Sequence, residues 1–337
     1  MEHCRRGESE QALSMFAAIR EQLAPPPAIL RLIQDLEATR CDRTVLAGGA
    51  ALRVQVGGGW DSNVSQGITA RSLVLGSGDN VLELELDQSY RPRASAFVQA
   101  SADYSLVLPG PGINLQMALG HRKNARESTF DVTSVSASAS RDFKLGAGTL
   151  RGQMELSEVW LGGKHYQRNQ SVAAQWLNAE SRGSWLASVS ATSARYLTQP
   201  SQDSLQLEAG LLREQRLNAA LSGYAGASLL RDEARGARPG GDRQGFELQF
   251  GSLVIAYGWR FRPQLTYTRW TSADVFAAGL LDVQRRNRLA QATLQAEKPL
   301  SSRTSLVLEW RGRWADDTVA LYRYQAKVLS ATLAHRF

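Results

Sequence analysis

Four histidines, two cysteines and eight tryptophans are the side chains of this 337-residue chain with the widest chemical reach. His3, His121, His165 and His335 stand isolated, and neither an HExxH nor a CxxC grouping occurs, so no zinc site and no other cofactor is expected. Asp61-Ser62-Asn63 starts like a calcium loop, but no glutamate completes it, and a turn is the better reading. Gly57–Gly59 lacks the GK[ST] ending of a phosphate loop. A Ser/His/Asp hydrolase would use a histidine near a strand end, as His121 is, yet nothing selects a nucleophile among the many serines. The expectation is a protein that is not an enzyme. Cys4 and Cys41 both precede the strand-rich region, and their spacing fits either two packed thiols or a disulfide in an oxidising compartment.

From about Val45 the hydrophobic period is two. In TSLVLEWRGRW, Leu306, Leu308, Trp310, Gly312 and Trp314 share one face, while Val307, Glu309, Arg311 and Arg313 share the other. SLQLEAGLL, INLQMALG and LAQATLQAE repeat the pattern. A strand buried on both faces does not keep placing Glu, Gln and Arg on one of them. A strand with lipid outside and water inside does. The segments are approximately 50–62, 94–108, 112–122, 129–145, 148–161, 167–180, 184–198, 202–214, 217–232, 243–257, 259–271, 285–298, 303–315 and 321–337. That is about fourteen strands, an even number, of a length suited to crossing a bilayer with tilt. Short turns are expected at 109–112, 146–148, 181–184, 214–217, 257–260 and 299–302, alternating with long polar loops such as 231–244 and 272–286. VLELELD (81–87) is expected to extend a strand beyond the membrane. The phase slips near Gly251–Ser252, which suggests a β-bulge.

The predicted fold is therefore an all-β transmembrane barrel of antiparallel strands over 45–337. The inward faces carry both signs of charge, and the candidate lumen residues are Arg151, Glu155, Glu208, Glu247, Arg262, Glu309, Arg311 and Arg313, with Gln99, Asp103, Gln153, Gln206, Gln249 and Gln264 beside them. Such an interior serves either as a salt-bridged filling or as a conduit. The tryptophans fit two interfacial girdles, with Trp60, Trp160 and Trp314 towards one end and Trp176, Trp185 and Trp259 towards the other; Trp270 and Trp310 are grouped with them. A carbohydrate-stacking platform is the alternative.

Residues 1–43 read as helix. Ala12, Phe16 and Ile19 recur at helical spacing before Pro25–Pro27, and Ile29, Leu32, Ile33 and Leu36 line a second helix. Gly7, Ala12, Phe16 and the closing prolines resemble a tetratricopeptide repeat, in which the small residue lets two helices approach and the phenylalanine fills the groove. The segment MEHCRRGESEQALSMF lacks the charged-then-apolar layout of a signal peptide, so an exported chain with this sequence is expected to begin further upstream. Hydrophobic residues make up 43%, and no run of about 18 apolar residues suggests a transmembrane helix. The net charge of +7 is spread among the strands rather than gathered on one face, which argues against a nucleic-acid partner.

The final strand ends in Phe337, with His335, Leu333, Ala331 and Leu329 on its face. A terminal aromatic on an alternating strand resembles the segment by which the barrel-assembly machinery recognises its clients. Trp60, Asp61, Asn63 and Val64 resemble the aromatic-Asp-x-Asn-Val opening of barrels that follow tetratricopeptide repeats. The layout is similar to that of the surface lipoprotein assembly modifier family. That resemblance implies periplasmic helices, a fourteen-strand barrel in the cell outer membrane, and partners comprising outer-membrane lipid, the assembly machinery and a client surface lipoprotein or small secreted protein, whose translocation or display the barrel assists. The alternatives are an exopolysaccharide export porin, with an open, charged lumen, and an outer-membrane hydrolase, with a Ser–His pair at one rim.

Overall fold

The structure, a computed structural model, describes Leu13, Met15, Phe16 and residues 49–77, 80–108, 110, 112–218 and 220–337, without the side chains of 73–81. The expected repeat helices, Gly7 and Ala12 among them, and the Cys4–Cys41 pairing lie outside the described residues. Leu13, Met15 and Phe16 are helical, and Phe16 is buried. The chain forms two compact units, Met1–Ala51 with Ser105–Leu115, and Leu52–Tyr104 with Gln116–Phe337.

The strands are β1 (Ala50–Asp61), β2 (Ser72–Ser77), β3 (Asn80–Glu85), β4 (Ser95–Leu108), β5 (Ile113–Asn124), β6 (Val132–Leu145), β7 (Gly148–Leu161), β8 (Lys164–Glu180), β9 (Gly183–Tyr196), β10 (Ser204–Arg216), β11 (Leu221–Ala234), β12 (Arg243–Ala256), β13 (Trp259–Ala277), β14 (Leu281–Pro299), β15 (Thr304–Asp317) and β16 (Tyr324–Arg336). Fourteen of them, all but β2 and β3, form a closed barrel in which each strand pairs with its sequence neighbours and β1 pairs antiparallel with β16. Closure removes every free edge from the wall, so each ladder N–H and C=O finds a partner without water. Strands spaced ~4.8 Å apart and tilted by ~40° close on a diameter of roughly 28 Å between Cα positions. That is wide enough to leave a lumen between the inward side chains.

Alternation sorts the two faces. Val56, Val98, Met117, Met154, Val172, Val189, Leu211, Leu229, Leu265 and Leu329 all lie outward and exposed. Along β15 the outward row from Leu306 to Trp314 advances ~27 Å along the strand, or ~20 Å along the axis, close to the height of an outward apolar band. Most inward positions are polar, and some reach one another across strands: Gln55 Nε2 donates to Asp103 at 3.3 Å, and Gln99 Nε2 donates to Thr332 at 3.2 Å. An apolar exterior around a polar interior is the surface a barrel in lipid requires.

Four expectations change. The long loops expected at 231–244 and 272–286 are shorter, 235–242 and 278–280. β11 continues to Ala234, and β13 and β14 run on to a turn at 278–280. Extra paired strand satisfies the backbone groups that a loop would leave to water. The segment 81–87 extends no wall strand but contributes to the separate β2–β3 hairpin, inside the one long connection, 62–94. No bulge occurs at Gly251–Ser252, because the β12–β13 register is the same on either side of the gap between Gly251↔Gln264 and Val254↔Phe261. The interruption sits opposite Pro263, which has no N–H to donate. Register shifts lie instead at Val159/Trp160 on β7 and beyond Thr271 on β13. Finally, Trp270 faces inward, beside Gly245 on the lumen row, and belongs to no girdle.

Two turns show how the hairpins are closed. Gly162 and Gly163 join β7 to β8 with φ of 56° and 78°, and Tyr257 and Gly258 join β12 to β13 with φ of 52° and 74°. Both pairs have the left-handed backbone whose twist matches that of two-residue hairpins.

Candidate functional site: the lumen wall and its two mouths

The inward rows place all eight candidate lumen residues on the inner wall. Arg151 holds Asp142 through two hydrogen bonds, at 2.6 and 2.9 Å. Arg262 donates to Glu297 at 2.9 Å and to Gln295 at 3.2 Å. Arg311 donates to Glu309 at 2.7 Å, Arg313 to Gln291 at 2.7 Å, and Thr268 to Glu247 at 2.9 Å. Glu155 and Glu208 face inward with no ion pair among the described residues. The eight are thus dispersed over the wall: Arg151, Arg262, Arg313 and Glu247 pair across strands, Arg311 and Glu309 pair along one strand, and Glu155 and Glu208 stand alone among the described residues.

The residues of the opening motif act together at the mouth opposite the short turns. Asp61 is buried and accepts from the Asn63 N–H at 2.9 Å and from Arg122 Nη2 at 2.9 Å. The Arg122 guanidinium lies 3.8 Å from the Phe97 ring centroid. That ring in turn covers Gly59, where an added Cβ would meet Phe97 Cζ at 2.7 Å. Asn63 is 2% exposed; its amide donates to the carbonyls of Gly67 at 2.9 Å and Gln325 at 2.8 Å. Val64 N–H donates to the Arg93 carbonyl at 2.8 Å. Trp60 points outward. The motif is therefore a loop clamp.

The same device recurs twice where the sequence drew no attention to it. Asp232, at the end of β11, is fully buried, with Arg238 Nη1 at 3.0 Å and Arg243 Nη2 at 2.6 Å; Arg243 also lies over Trp270 at 4.8 Å. Asp317, at the end of β15, takes Arg285 Nε at 2.8 Å and the Val319 N–H at 2.9 Å, and Arg285 lies 3.5 Å from the Tyr322 centroid. Each clamp is an aspartate at the end of a strand, an arginine and an aromatic ring. Together they tie the connections at 62–94, 235–242 and 318–323 to the wall.

The short-turn mouth is built differently. Between β13 and β1 a recess of about 780 Å³ is lined by Arg53, Arg260, Arg262, Arg303 and Arg336. Glu297 is the one carboxylate there among the described residues, 2.9 Å from Arg262 and 3.9 Å from Arg260. Arg53 and Arg336 are direct cross-strand partners. On the far side of this mouth the register turns Leu177, Leu186, Leu212 and Leu253 inward, so the inner wall is apolar there. Of these five arginines only Arg262 was among the lumen residues expected from the sequence. A period-two reading of β13 would have added Arg260.

Other sequence candidates separate. His121 faces outward and pairs with Thr133 at 2.9 Å, His335 pairs with Thr304 at 2.9 Å, and His165 Nε2 lies 3.3 Å from Glu158 and stacks on Trp160. No serine–histidine hydrogen bond forms among the described residues. Phe337 donates its N–H to the Leu52 carbonyl at 2.9 Å and so joins the seam with β1, while Leu333 points outward.

No family model matches the sequence, and no curated protein matches it. Among solved structures the chain is similar to a bacterial polysaccharide outer membrane secretin (10% identity, TM-score 0.44, covering 86% of this chain and 98% of that one). It is similar to the outer membrane channel DcaP of Acinetobacter baumannii (10% identity, TM-score 0.45, covering 87% and 98%). It also resembles a Pseudomonas aeruginosa FadL homologue (9% identity, TM-score 0.45, covering 85% and 89%).

Proposed function

We propose that this chain spans the outer membrane as a non-enzymatic barrel, short-turn mouth towards the periplasm, and passes material through its polar interior. The observation that carries the reading is the division of a closed fourteen-strand wall into an apolar outside and a largely polar inside. Hydrocarbon selects such an exterior, and water or a polar cargo selects such an interior. The cargo we favour is a surface lipoprotein or small secreted protein, handed to the barrel from the periplasmic side with the assembly machinery having placed the barrel. That finer reading is supported by the resemblance carried by Trp60, Asp61, Asn63 and Val64.

An exopolysaccharide export porin is the second reading, and the arginine-lined mouth favours it, because a charged lumen suits a charged polymer. To test the conduit, the chain is expressed behind a signal peptide, purified from outer membranes and run on gels with and without heating. It should show a heat-dependent mobility shift and conduct ions in planar bilayers. Deletion of the barrel should leave a tagged client lipoprotein shielded from protease added to whole cells. A soluble species with no heat shift would end the outer-membrane reading. A client that reaches the surface without the barrel would end the lipoprotein reading.

A further inference from the structure

We infer that the arginine recess at the short-turn mouth is a binding site for oxyanions, namely the carboxylate or phosphate groups of a solute entering the lumen. The inference rests on the conduit reading only for what the site is used for. The binding itself follows from the wall.

Five arginines line one recess of about 780 Å³ against a single side-chain carboxylate among the described residues. Glu297 is already engaged by Arg262 at 2.9 Å and lies 3.9 Å from Arg260, which leaves Arg53, Arg303 and Arg336 with no carboxylate among the described residues. Two of the three are forced together. Arg53 and Arg336 are paired in register where the first strand meets the last, and the Arg336 N–H donates to the Arg303 carbonyl at 2.8 Å, which brings the third alongside. Like charges directly opposite on a sheet repel. Elsewhere on this wall Arg151 and Arg311 are neutralised by Asp142 and Glu309, and Arg313 stands singly against the neutral Gln291. A recess lined by one sign of charge concentrates counter-ions, and the planar fork of arginine matches carboxylate and phosphate geometry. Gln55, Gln295 and Ser305 add neutral hydrogen-bonding groups around the same recess.

The test uses the folded barrel in detergent at low salt. Citrate and inorganic phosphate are titrated in separately by calorimetry, which also tells carboxylate from phosphate preference. At least one should bind, weaken as salt is raised, and bind about tenfold more weakly to the R53Q/R336Q variant. Folding of the variant is checked by its heat shift, and R303Q, in an exposed turn, replaces it if the double variant does not fold. Binding of neither anion, or equal binding by wild type and variant, overturns the site. Planar-bilayer recordings separate this from the conduit reading. A barrel that conducts but binds no anion keeps the conduit and loses the recess. A barrel that binds anions without conducting does the reverse.

Discussion

The two mouths of this barrel use the same residue type to opposite ends. Opposite the short turns, Arg122, Arg238, Arg243 and Arg285 are committed to the buried carboxylates of Asp61, Asp232 and Asp317, and three of them stack on aromatic rings. At the short turns, Arg53, Arg303 and Arg336 face a recess with no such partner among the described residues. An arginine with a buried acid and a ring beneath it holds structure. An arginine beside other arginines costs stability locally and is useful only when an anion arrives. The difference teaches that counting charges on an inner wall says little until each is matched to its partner.

The comparison is broken most sharply at Asp232. Removing this fully buried carboxylate in Asp232→Ala leaves Arg238 and Arg243 uncompensated, and should cost about 3–5 kcal/mol, read as a lower urea midpoint of the barrel in detergent or lipid. If stability is unchanged, the clamps are not structural. The next effect is expected at Gly59→Val, where the new side chain meets the Leu329 carbonyl and the Phe97 ring of the first clamp. Overpacking of this kind should cost ~1–3 kcal/mol and lower the folded fraction recovered from membranes. Phe97→Ala tests the ring alone. Loss of its packing and of the Arg122 stack should destabilise by roughly 3 kcal/mol, with the heat-shift temperature as readout. The smallest change has the opposite sign: Arg336→Gln relieves the repulsion with Arg53 and should leave stability equal or raise it by up to ~1 kcal/mol in the same unfolding assay. A clear loss there would mean that the recess arginines are structural after all.

Much of this architecture was legible in the sequence because it follows from period two. The strand segments, the short turns at 146–148 and 257–260, and the inward placement of Arg151 and Arg262 needed only alternation. Other features depend on pairing between strands, which one sequence does not display. Arg53 and Arg336 are separated by nearly the whole chain and meet only through closure, so no local pattern joins them. Asp232 and Asp317 sit at strand ends, where polar residues read as loop; only the register and the folded-back connections reveal their burial. The bulge at Gly251–Ser252 was inferred from hydrophobic phase, but Leu253 simply turns inward at an apolar part of the lumen. The loops at 231–244 and 272–286 were read too long for a related reason: polar composition marks water, and a strand that projects beyond lipid is as wet as a loop.

The meeting of β1 with β16 also sets an order of events. Every other wall pair joins strands adjacent in the sequence, apart from β1 with β4, which are separated by residues 62–94. Thirteen strands, β4 to β16, can therefore zip by successive local hairpins, each closing a small loop. β1 alone must capture partners on both flanks, one of them at the opposite terminus, and the entropy of ordering the chain between them has to be met before that contact returns anything. The wall is thus expected to form as a curled, open sheet whose last act is to lock, with the Phe337–Leu52 hydrogen bond among the final ones made. A chain lacking its last residue would then reach the open sheet at the usual rate and lag only in the locking step.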